Sequence, residues 1–204
     1  MMPSKQSSKR SSRPSSQRSI LAELKAQIAL LTGVVAILWA VEIIDWIGFR
    51  GSLDSYGIVP RQLMGLRGIV FAPFLHGNFE HLIANTLPLI TLSWLVMVRE
   101  ISDWVWVTLL AALSAGLGTW LVGASTSVHI GASGLIFGYV GFLLMRGYFE
   151  RSVVAIAFSL LVILFYGGIL WGVLPSQPGI SWEGHLFGFV GGVIAARLLA
   201  RKPG

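Results

Sequence analysis

The longest uncharged stretch of this 204-residue chain limits its fold most strongly. Residues 104–145 contain no Asp, Glu, Lys or Arg. As one continuous helix they would extend about 63 Å, twice the thickness of a bilayer's hydrocarbon core. The stretch therefore predicts two membrane-spanning helices, separated at the small and polar segment 123–134. Only 12% of all residues are charged, whereas a soluble domain has about 25%, so an ordinary soluble protein is excluded.

Four more apolar segments bring the predicted number of spans to six. They are residues 26–49, 82–98, 153–173 and 184–200. We therefore expect an all-α membrane protein with a six-helix transmembrane domain over residues 26–201. Residues 1–25 are predicted to be a disordered tail, because their first part is rich in serine and basic residues and poor in apolar ones. The alternative interpretation of this basic start is an organellar transit peptide.

The distribution of basic residues predicts the orientation of these spans. Twelve of the fifteen Lys and Arg side chains lie on the side of the two termini, and three lie on the opposite side. Cytoplasmic loops carry such an excess, so both termini are expected in the cytoplasm. Because the basic residues cluster at the membrane edges, the net charge of +6 does not indicate nucleic-acid binding.

Polar side chains recur at one depth in the even-numbered spans. Asn85, Ser133 and His185 each precede an arginine at the inner edge by about 18–21 Å of helix. In a hydrocarbon core of about 30 Å they would lie about 10 Å below the outer surface. His81 lies one helical turn above Asn85 on the same face. Polar residues are costly in a membrane and usually face a cavity or a partner, so these four predict a site.

The fourth span would begin below the outer surface, because Ser133 is its first residue. The loop 124–132 must then dip into the membrane, where its backbone groups need protein or water as partners. We therefore expect a water-filled cavity that opens outward. Glycines at four-residue spacing predict close packing of the fourth and sixth spans. These glycines are Gly134, Gly138, Gly184, Gly188 and Gly192.

Ser133 and His185 together indicate nucleophilic catalysis. A serine hydroxyl is a weak nucleophile until a base accepts its proton, and a neutral imidazole suits that task near pH 7. The backbone N–H of Ser133, the Asn85 amide and the His81 imidazole are candidate donors to an oxyanion. The chain has no cysteine, so Ser133 is the strongest candidate nucleophile. No carboxylate is expected at this depth to orient His185, so we expect a Ser–His dyad without a third member. The alternative is a transporter or channel in which the same groups bind an ion or carry protons.

Three motifs resemble those of the rhomboid family of intramembrane serine proteases. They are His76-Gly-Asn-Phe-Glu-His81-Leu-Ile-Ala-Asn85, Gly131-Ala-Ser133-Gly134 and Gly184-His185-Leu-Phe-Gly188, in that order. The resemblance, which covers about residues 67–197, implies a rhomboid-like bundle of six transmembrane helices with a recessed fourth helix. It implies a multi-pass protein of a bacterial cell membrane. It also implies Ser133 as the nucleophile and His185 as the general base, with His81 and Asn85 supporting the oxyanion.

The resemblance further implies the substrates and the surroundings of the dyad. Single-pass transmembrane proteins would enter sideways from the lipid bilayer near spans two and five, beneath a cap formed by residues 175–181. No cofactor and no metal ion are implied. Phe137 stands where many rhomboids have a tyrosine whose ring stacks on the catalytic histidine. Gly131, Gly134 and His129 are expected near the dyad, and a structural loop role is the favoured interpretation of His129. The remaining alternative is a rhomboid-like protein that binds membrane proteins without cleaving them.

Overall fold

Six long helices make up most of the computed structural model, which describes residues 13–175 and 179–201. In chain order they are α1 (Arg13–Ile44), α2 (Phe79–Met97), α3 (Ile101–Val122), α4 (Ser133–Glu150), α5 (Val153–Tyr166) and α6 (Trp182–Leu199). Short helical turns fill much of the connection between α1 and α2. The described residues contain no β-strand, only one bridge between Ile58 and His129. The prediction of an all-α fold is confirmed for these residues.

The uncharged stretch over residues 104–145 is divided as predicted. α3 ends at Val122, and α4 begins at Ser133. The polar segment between them carries Gly131 at a φ of 112°, a backbone conformation that favours glycine. This turn lets the chain reverse before α4 begins.

Four helical segments are long and apolar enough to cross a membrane, which is typical of an integral membrane protein. They are Ser19–Phe49, Phe79–Met97, Ile101–Val122 and Val153–Val173. Helices also occupy the fourth and sixth predicted positions, where α4 and α6 have 18 residues each. α4 and α6 are not among the four apolar segments, because charged residues lower their mean hydropathy. These residues are Arg146 and Glu150 in α4, and Glu183 and Arg197 in α6. Among the described residues, length and composition thus identify four candidate membrane spans, and the count of six spans stays a prediction.

α1 begins within the segment that was predicted to be a disordered tail. Residues 13–25 are helical and continue directly into the apolar part of α1, whereas residues 1–12 lie outside the described residues. Adding residues to an existing helix is inexpensive, because only nucleation is strongly unfavourable. Ile20 and Leu24 also extend the apolar character of α1 toward its start. The predicted boundary at residue 26 therefore does not coincide with a helix boundary.

α4 is the central helix and packs closely against α6. Its Phe142 side chain is only 1% exposed. Gly188 lies against the carbonyl oxygen of Gly134, and Gly192 lies against that of Gly138. A methyl group at Gly188 or Gly192 would collide with the facing backbone, so the small residues permit this approach. The predicted pairing of these two helices is confirmed.

An ionic network joins the helices at the opposite end from Ser133. Arg99, which follows α2, pairs with Asp103 at 2.5 Å and with Glu150, and it donates to the Leu199 carbonyl at 3.1 Å. Arg146 donates to the second oxygen of Glu150 at 3.0 Å. We call these groups the inner network, because the predicted orientation places them toward the cytoplasm. It connects the end of α2 with α3, α4 and α6.

Candidate active site

Ser133 is the first residue of α4, and the loop before it brings this residue beside α2. The Gly131 N–H donates to the Ala72 carbonyl at 2.8 Å, which fixes the loop against the α1–α2 connection. A side chain at Gly131 would lie 2.7 Å from the His81 ring, so only glycine lets the loop pass this closely. Backbone N–H groups in a helix's first turn have no acceptor within the helix. The N–H of Ser133 is therefore a donor at the site.

His185 lies in the first turn of α6 and contacts Ser133 directly. The distance from His185 Nε2 to Ser133 Oγ is 2.8 Å. On the other side of the ring, Nδ1 lies 2.9 Å from the Gly172 carbonyl. A carbonyl only accepts hydrogen bonds, so Nδ1 carries the hydrogen and the neutral ring leaves a lone pair on Nε2. That lone pair faces the Ser133 hydroxyl.

The His185 ring is held between an aromatic face and a glycine. The Phe137 ring stacks on it at 4.1 Å between centroids, with an interplanar angle of 8°. A side chain at Gly172 would lie 3.1 Å from His185 Nδ1 and 3.0 Å from the tip of Phe137. These contacts leave the imidazole little freedom to turn. His185 is 8% exposed, so its orientation is set almost entirely by protein groups.

His81 and Asn85 lie in the first two turns of α2. Asn78 caps this helix, since its side chain accepts from the His81 N–H at 2.8 Å. Asn85 Nδ2 donates to the His81 carbonyl at 3.0 Å. The His76 ring meets the His81 ring edge to face at 5.1 Å. Burial, and to a lesser extent His81, lowers the pKa of His76 to about 4, so this ring stays neutral beside His81.

One cavity joins the four predicted site residues. It has a volume of about 800 Å³ and lies among the starts of α2, α4 and α6. Its lining includes Ser133, His185, His81 and Asn85. Residues that the sequence placed at one depth on three helices thus face one space. A peptide carbonyl in this cavity could meet a hydroxyl, an imidazole and an amide together.

The other residues expected near the dyad have different positions. Gly134 packs toward Ala115, where an added side chain would lie 3.1 Å from the Ala115 methyl group. His129 lines the cavity and bonds to Ser127 and Ser181. Among residues 13–175 and 179–201, no group of three or more His, Cys, Asp or Glu side chains is placed to hold a metal ion.

Sequence reasoning missed two groups around the dyad. Gly172 acts through its backbone carbonyl, which no side-chain pattern signals. Ser181 caps α6 by accepting from the Gly184 N–H at 3.3 Å. A serine directly before the helical segment that carries His185 is a recognisable capping signal, so Ser181 could have been found.

Comparisons with known proteins agree with this architecture. The family model of the rhomboid domain matches residues 63–202. Two mycobacterial proteins, both named as uncharacterized, are similar over most of their length. Rv1337 of Mycobacterium tuberculosis is 47% identical over 174 residues, covering 81% of this chain and 72% of the relative. ML1171 of Mycobacterium leprae is 44% identical over 181 residues, covering 85% and 71%.

A more distant relative carries a functional name. The Bacillus subtilis protein named "Putative rhomboid protease YdcA" is 28% identical over 131 residues, covering 63% of this chain and 64% of the relative. No solved structure matches the chain significantly. The family match covers well over half of the chain and includes the four predicted site residues, Ser133, His185, His81 and Asn85. The chain therefore belongs to the rhomboid family.

Proposed function

We propose that this protein is an intramembrane serine protease that cleaves transmembrane proteins with a Ser133–His185 dyad. The observation that carries the proposal is the 2.8 Å contact between Ser133 Oγ and His185 Nε2. The Gly172 carbonyl fixes the opposite nitrogen, so the basic nitrogen faces the hydroxyl. A nucleophile, a base and a group that orients the base are the three parts that activate a serine. The name of the Bacillus subtilis relative points to the same reaction.

The dyad supports a two-step hydrolysis. Ser133 Oγ attacks the carbonyl carbon of the scissile peptide bond while His185 Nε2 accepts the hydroxyl proton. The tetrahedral intermediate collapses when protonated His185 donates this proton to the leaving amine. Water then attacks the acyl-enzyme, and His185 accepts a proton from it and returns one to Ser133 Oγ. The cavity beside the dyad gives this water a path.

Three donors are proposed to stabilise the oxyanion of the tetrahedral intermediate. They are the Ser133 N–H, the Asn85 amide and the His81 imidazole. Asn85 uses one amide hydrogen on the His81 carbonyl, and its second hydrogen is left for the cavity. One such donor contributes about 10²–10³ in rate, because it stabilises charge that develops only during the reaction.

The orientation and the substrate route belong to the same proposal. α4 and α6 would be the fourth and sixth membrane spans, with both termini in the cytoplasm. A single-pass transmembrane substrate would enter from the bilayer between α2 and α5. At this place the Thr91 and Tyr166 hydroxyls share a hydrogen bond. Residues 175–181 would cap the site, and residues 176–178 of this cap lie outside the described residues.

The test is cleavage of a single-pass transmembrane reporter in proteoliposomes. Ser133→Ala is expected to abolish cleavage, since it removes the nucleophile while the protein still folds. Ser114→Ala is the matched control, because Ser114 lies in α3 beside Gly191 and outside the cavity lining. A fluorophosphonate probe should label the wild type and Ser114→Ala but not Ser133→Ala.

The alternatives make different predictions in the same experiment. Equal cleavage by Ser133→Ala and the wild type would overturn the proposal. A protein that binds membrane proteins without cleaving them would retain an intact reporter and would not react with the probe. A transporter would show uptake that depends on His81 or His185 and not on probe labelling.

A further inference from the structure

His129 sits at the centre of a chain of hydrogen bonds outside the dyad. Its Nε2 lies 2.8 Å from Ser127 Oγ, and its Nδ1 lies 2.7 Å from Ser181 Oγ. Ser127 Oγ also donates to the Ala124 carbonyl at 2.7 Å. Ser181 Oγ accepts from the Gly184 N–H at 3.3 Å. The chain thus runs from the loop before α4 to the first turn of α6.

The direction of each hydrogen bond follows from its neighbours. Ser127 gives its only hydrogen to a carbonyl, so it accepts from His129 Nε2–H. In the neutral ring Nδ1 then has no hydrogen, and it accepts from the Ser181 hydroxyl. Ser181 in turn accepts from the backbone of α6. Every donor in the chain has an acceptor when His129 is neutral with its hydrogen on Nε2.

The backbone of His129 fixes the same residue to a third segment. Its N–H donates to the Ile58 carbonyl at 2.9 Å, and its carbonyl accepts from the Ile58 N–H at 2.9 Å. His129 therefore joins the α1–α2 connection, the loop before α4 and the cap of α6. Of these three attachments, only the side-chain bond to Ser181 reaches the helix that carries His185.

The two ends of this bond have matching positions relative to the dyad. His129 lies four residues before Ser133, and Ser181 lies four residues before His185. The bond therefore joins the segment that leads into Ser133 to the segment that leads into His185. The 2.8 Å distance between Ser133 Oγ and His185 Nε2 depends on how these segments are placed relative to each other.

We propose that His129 is a positioning residue: its hydrogen bond to Ser181 holds the loop before α4 against the start of α6 and keeps Ser133 within reach of His185. The proposal rests on the proposed protease function and assigns His129 a task in that reaction. His129 acts through the dyad and does not touch the scissile bond. A loop histidine that only fills space would not need either ring nitrogen.

Two amide substitutions separate the two hydrogen bonds of the ring. In His129→Asn the side-chain oxygen takes the place of Nδ1 and can still accept from Ser181. In His129→Gln the amide reaches the position of Nε2 and keeps the bond to Ser127 within the loop. His129→Phe preserves the size of the ring and removes both bonds. Ser181→Ala removes the partner on α6.

The proposal predicts a fixed order of turnover numbers with a transmembrane reporter. His129→Asn should stay close to the wild type, whereas His129→Gln, His129→Phe and Ser181→Ala should lose about tenfold in kcat, since each loses the bond to α6. KM should stay unchanged, because the substrate route is intact. Equal kcat values for His129→Asn and His129→Gln, or a wild-type kcat for His129→Phe, would overturn the proposal.

Hydrogen exchange measured by mass spectrometry tests the same bond without activity. His129→Phe should speed exchange both in residues 124–132 and in the first turn of α6, whereas His129→Asn should leave exchange in α6 unchanged. Unchanged exchange at α6 in His129→Phe would overturn the positioning role. Failure of the wild type to cleave or to react with a fluorophosphonate would instead overturn the protease function.

Discussion

The two ends of the helix bundle hold the same helices together by different chemistry. At the inner end, Arg99 and Arg146 share Glu150, and Arg99 also binds Asp103 and a carbonyl of α6. At the opposite end, which we call the outer end after the proposed orientation, α2, α4 and α6 meet around the cavity, and a bond between two neutral groups joins His185 to Ser133. The inner end is held by buried ion pairs, whereas the outer end opens to the cavity and joins its helices by neutral hydrogen bonds, although one carboxylate, Glu183, lies in the cavity lining.

This difference suggests separate tasks for the two ends: the inner network holds the helices in place, and the outer end carries the reacting groups. Removing one partner from a buried ion pair leaves an uncompensated charge, so the inner network resists rearrangement. The neutral hydrogen bonds at the outer end cost less to break and remake, which a reaction with proton transfers requires. We infer that the inner network fixes the helices and that the outer end uses this fixed geometry for catalysis. Each of the following substitutions acts on one end and should leave the other unchanged.

The largest effect is expected from Glu150→Ala, which removes the centre of the inner network. Arg99 and Arg146 would both lose a buried partner, and we expect a loss of about 3–5 kcal/mol in the free energy of unfolding. Thermal or denaturant unfolding in detergent measures this loss. Glu100→Ala is the matched control, because Glu100 pairs with Arg201 on the exposed surface and should change stability little.

The same variant also tests whether the two ends are separable. Among Glu150→Ala molecules that remain folded, fluorophosphonate should label Ser133 at the wild-type rate. A labelling rate that falls together with stability would contradict the division between anchoring and chemistry.

The next effect is expected from Asn85→Ala at the outer end. Loss of one proposed oxyanion donor should lower kcat by about 10²–10³-fold, because this donor acts mainly on the transition state. Ser93→Ala is the control, since Ser93 is a buried polar residue of the same helix and lies outside the cavity lining. Reporter cleavage should fall in Asn85→Ala alone. A wild-type kcat in Asn85→Ala would contradict the proposal that Asn85 stabilises the oxyanion.

Much of this architecture was accessible from the sequence, because the bilayer limits what an uncharged segment can do. The length of the uncharged stretch 104–145 predicted two helices separated at the polar segment 123–134, and glycine spacing predicted the contact between α4 and α6. The structure confirms both. Of the three arginines used as depth markers, Arg99 and Arg146 share one layer, since both bind Glu150. Depth counted from this layer placed Asn85 among the residues that line the cavity.

Groups without a side-chain pattern could not be predicted. The carbonyl that orients His185 belongs to Gly172, which lies thirteen residues earlier in the chain. The bond between His129 and Ser181 joins residues 52 positions apart, so it depends on tertiary packing. The start of α1 at Arg13 was missed because composition alone does not report whether a polar segment extends an existing helix.

A smaller effect is expected from Phe137→Leu, which removes the ring stacked on His185. Stacked aromatic pairs contribute about 0.5–1.5 kcal/mol, so kcat should fall about two- to tenfold as the imidazole gains freedom. Phe142→Leu is the matched control, because it makes the same change at a buried position of the same helix. Phe142→Leu should lower stability and leave the kcat of folded molecules unchanged. Equal kcat values for the two variants would show that the stacked ring does not affect His185.

The smallest effect concerns Asp54, a partly buried carboxyl in the connection between α1 and α2. Burial, and then the nearby Asp45, raises the pKa of Asp54 to about 6. The folded protein therefore binds this proton more tightly than the unfolded chain, whose Asp pKa is 3.8. The resulting stabilisation is complete below this lower value and is lost as the pH rises through about 6.

Asp54→Asn stays neutral at every pH and should escape this loss. The melting temperature of Asp54→Asn minus that of the wild type should therefore be larger at about pH 8 than at about pH 5. Thermal unfolding of both proteins in detergent at the two pH values measures this change. A constant difference would mean that the pKa of Asp54 is the same in the folded protein and in the unfolded chain. A rise with pH would instead show that the surroundings of Asp54 favour its neutral form, as burial of this carboxyl beside Asp45 requires.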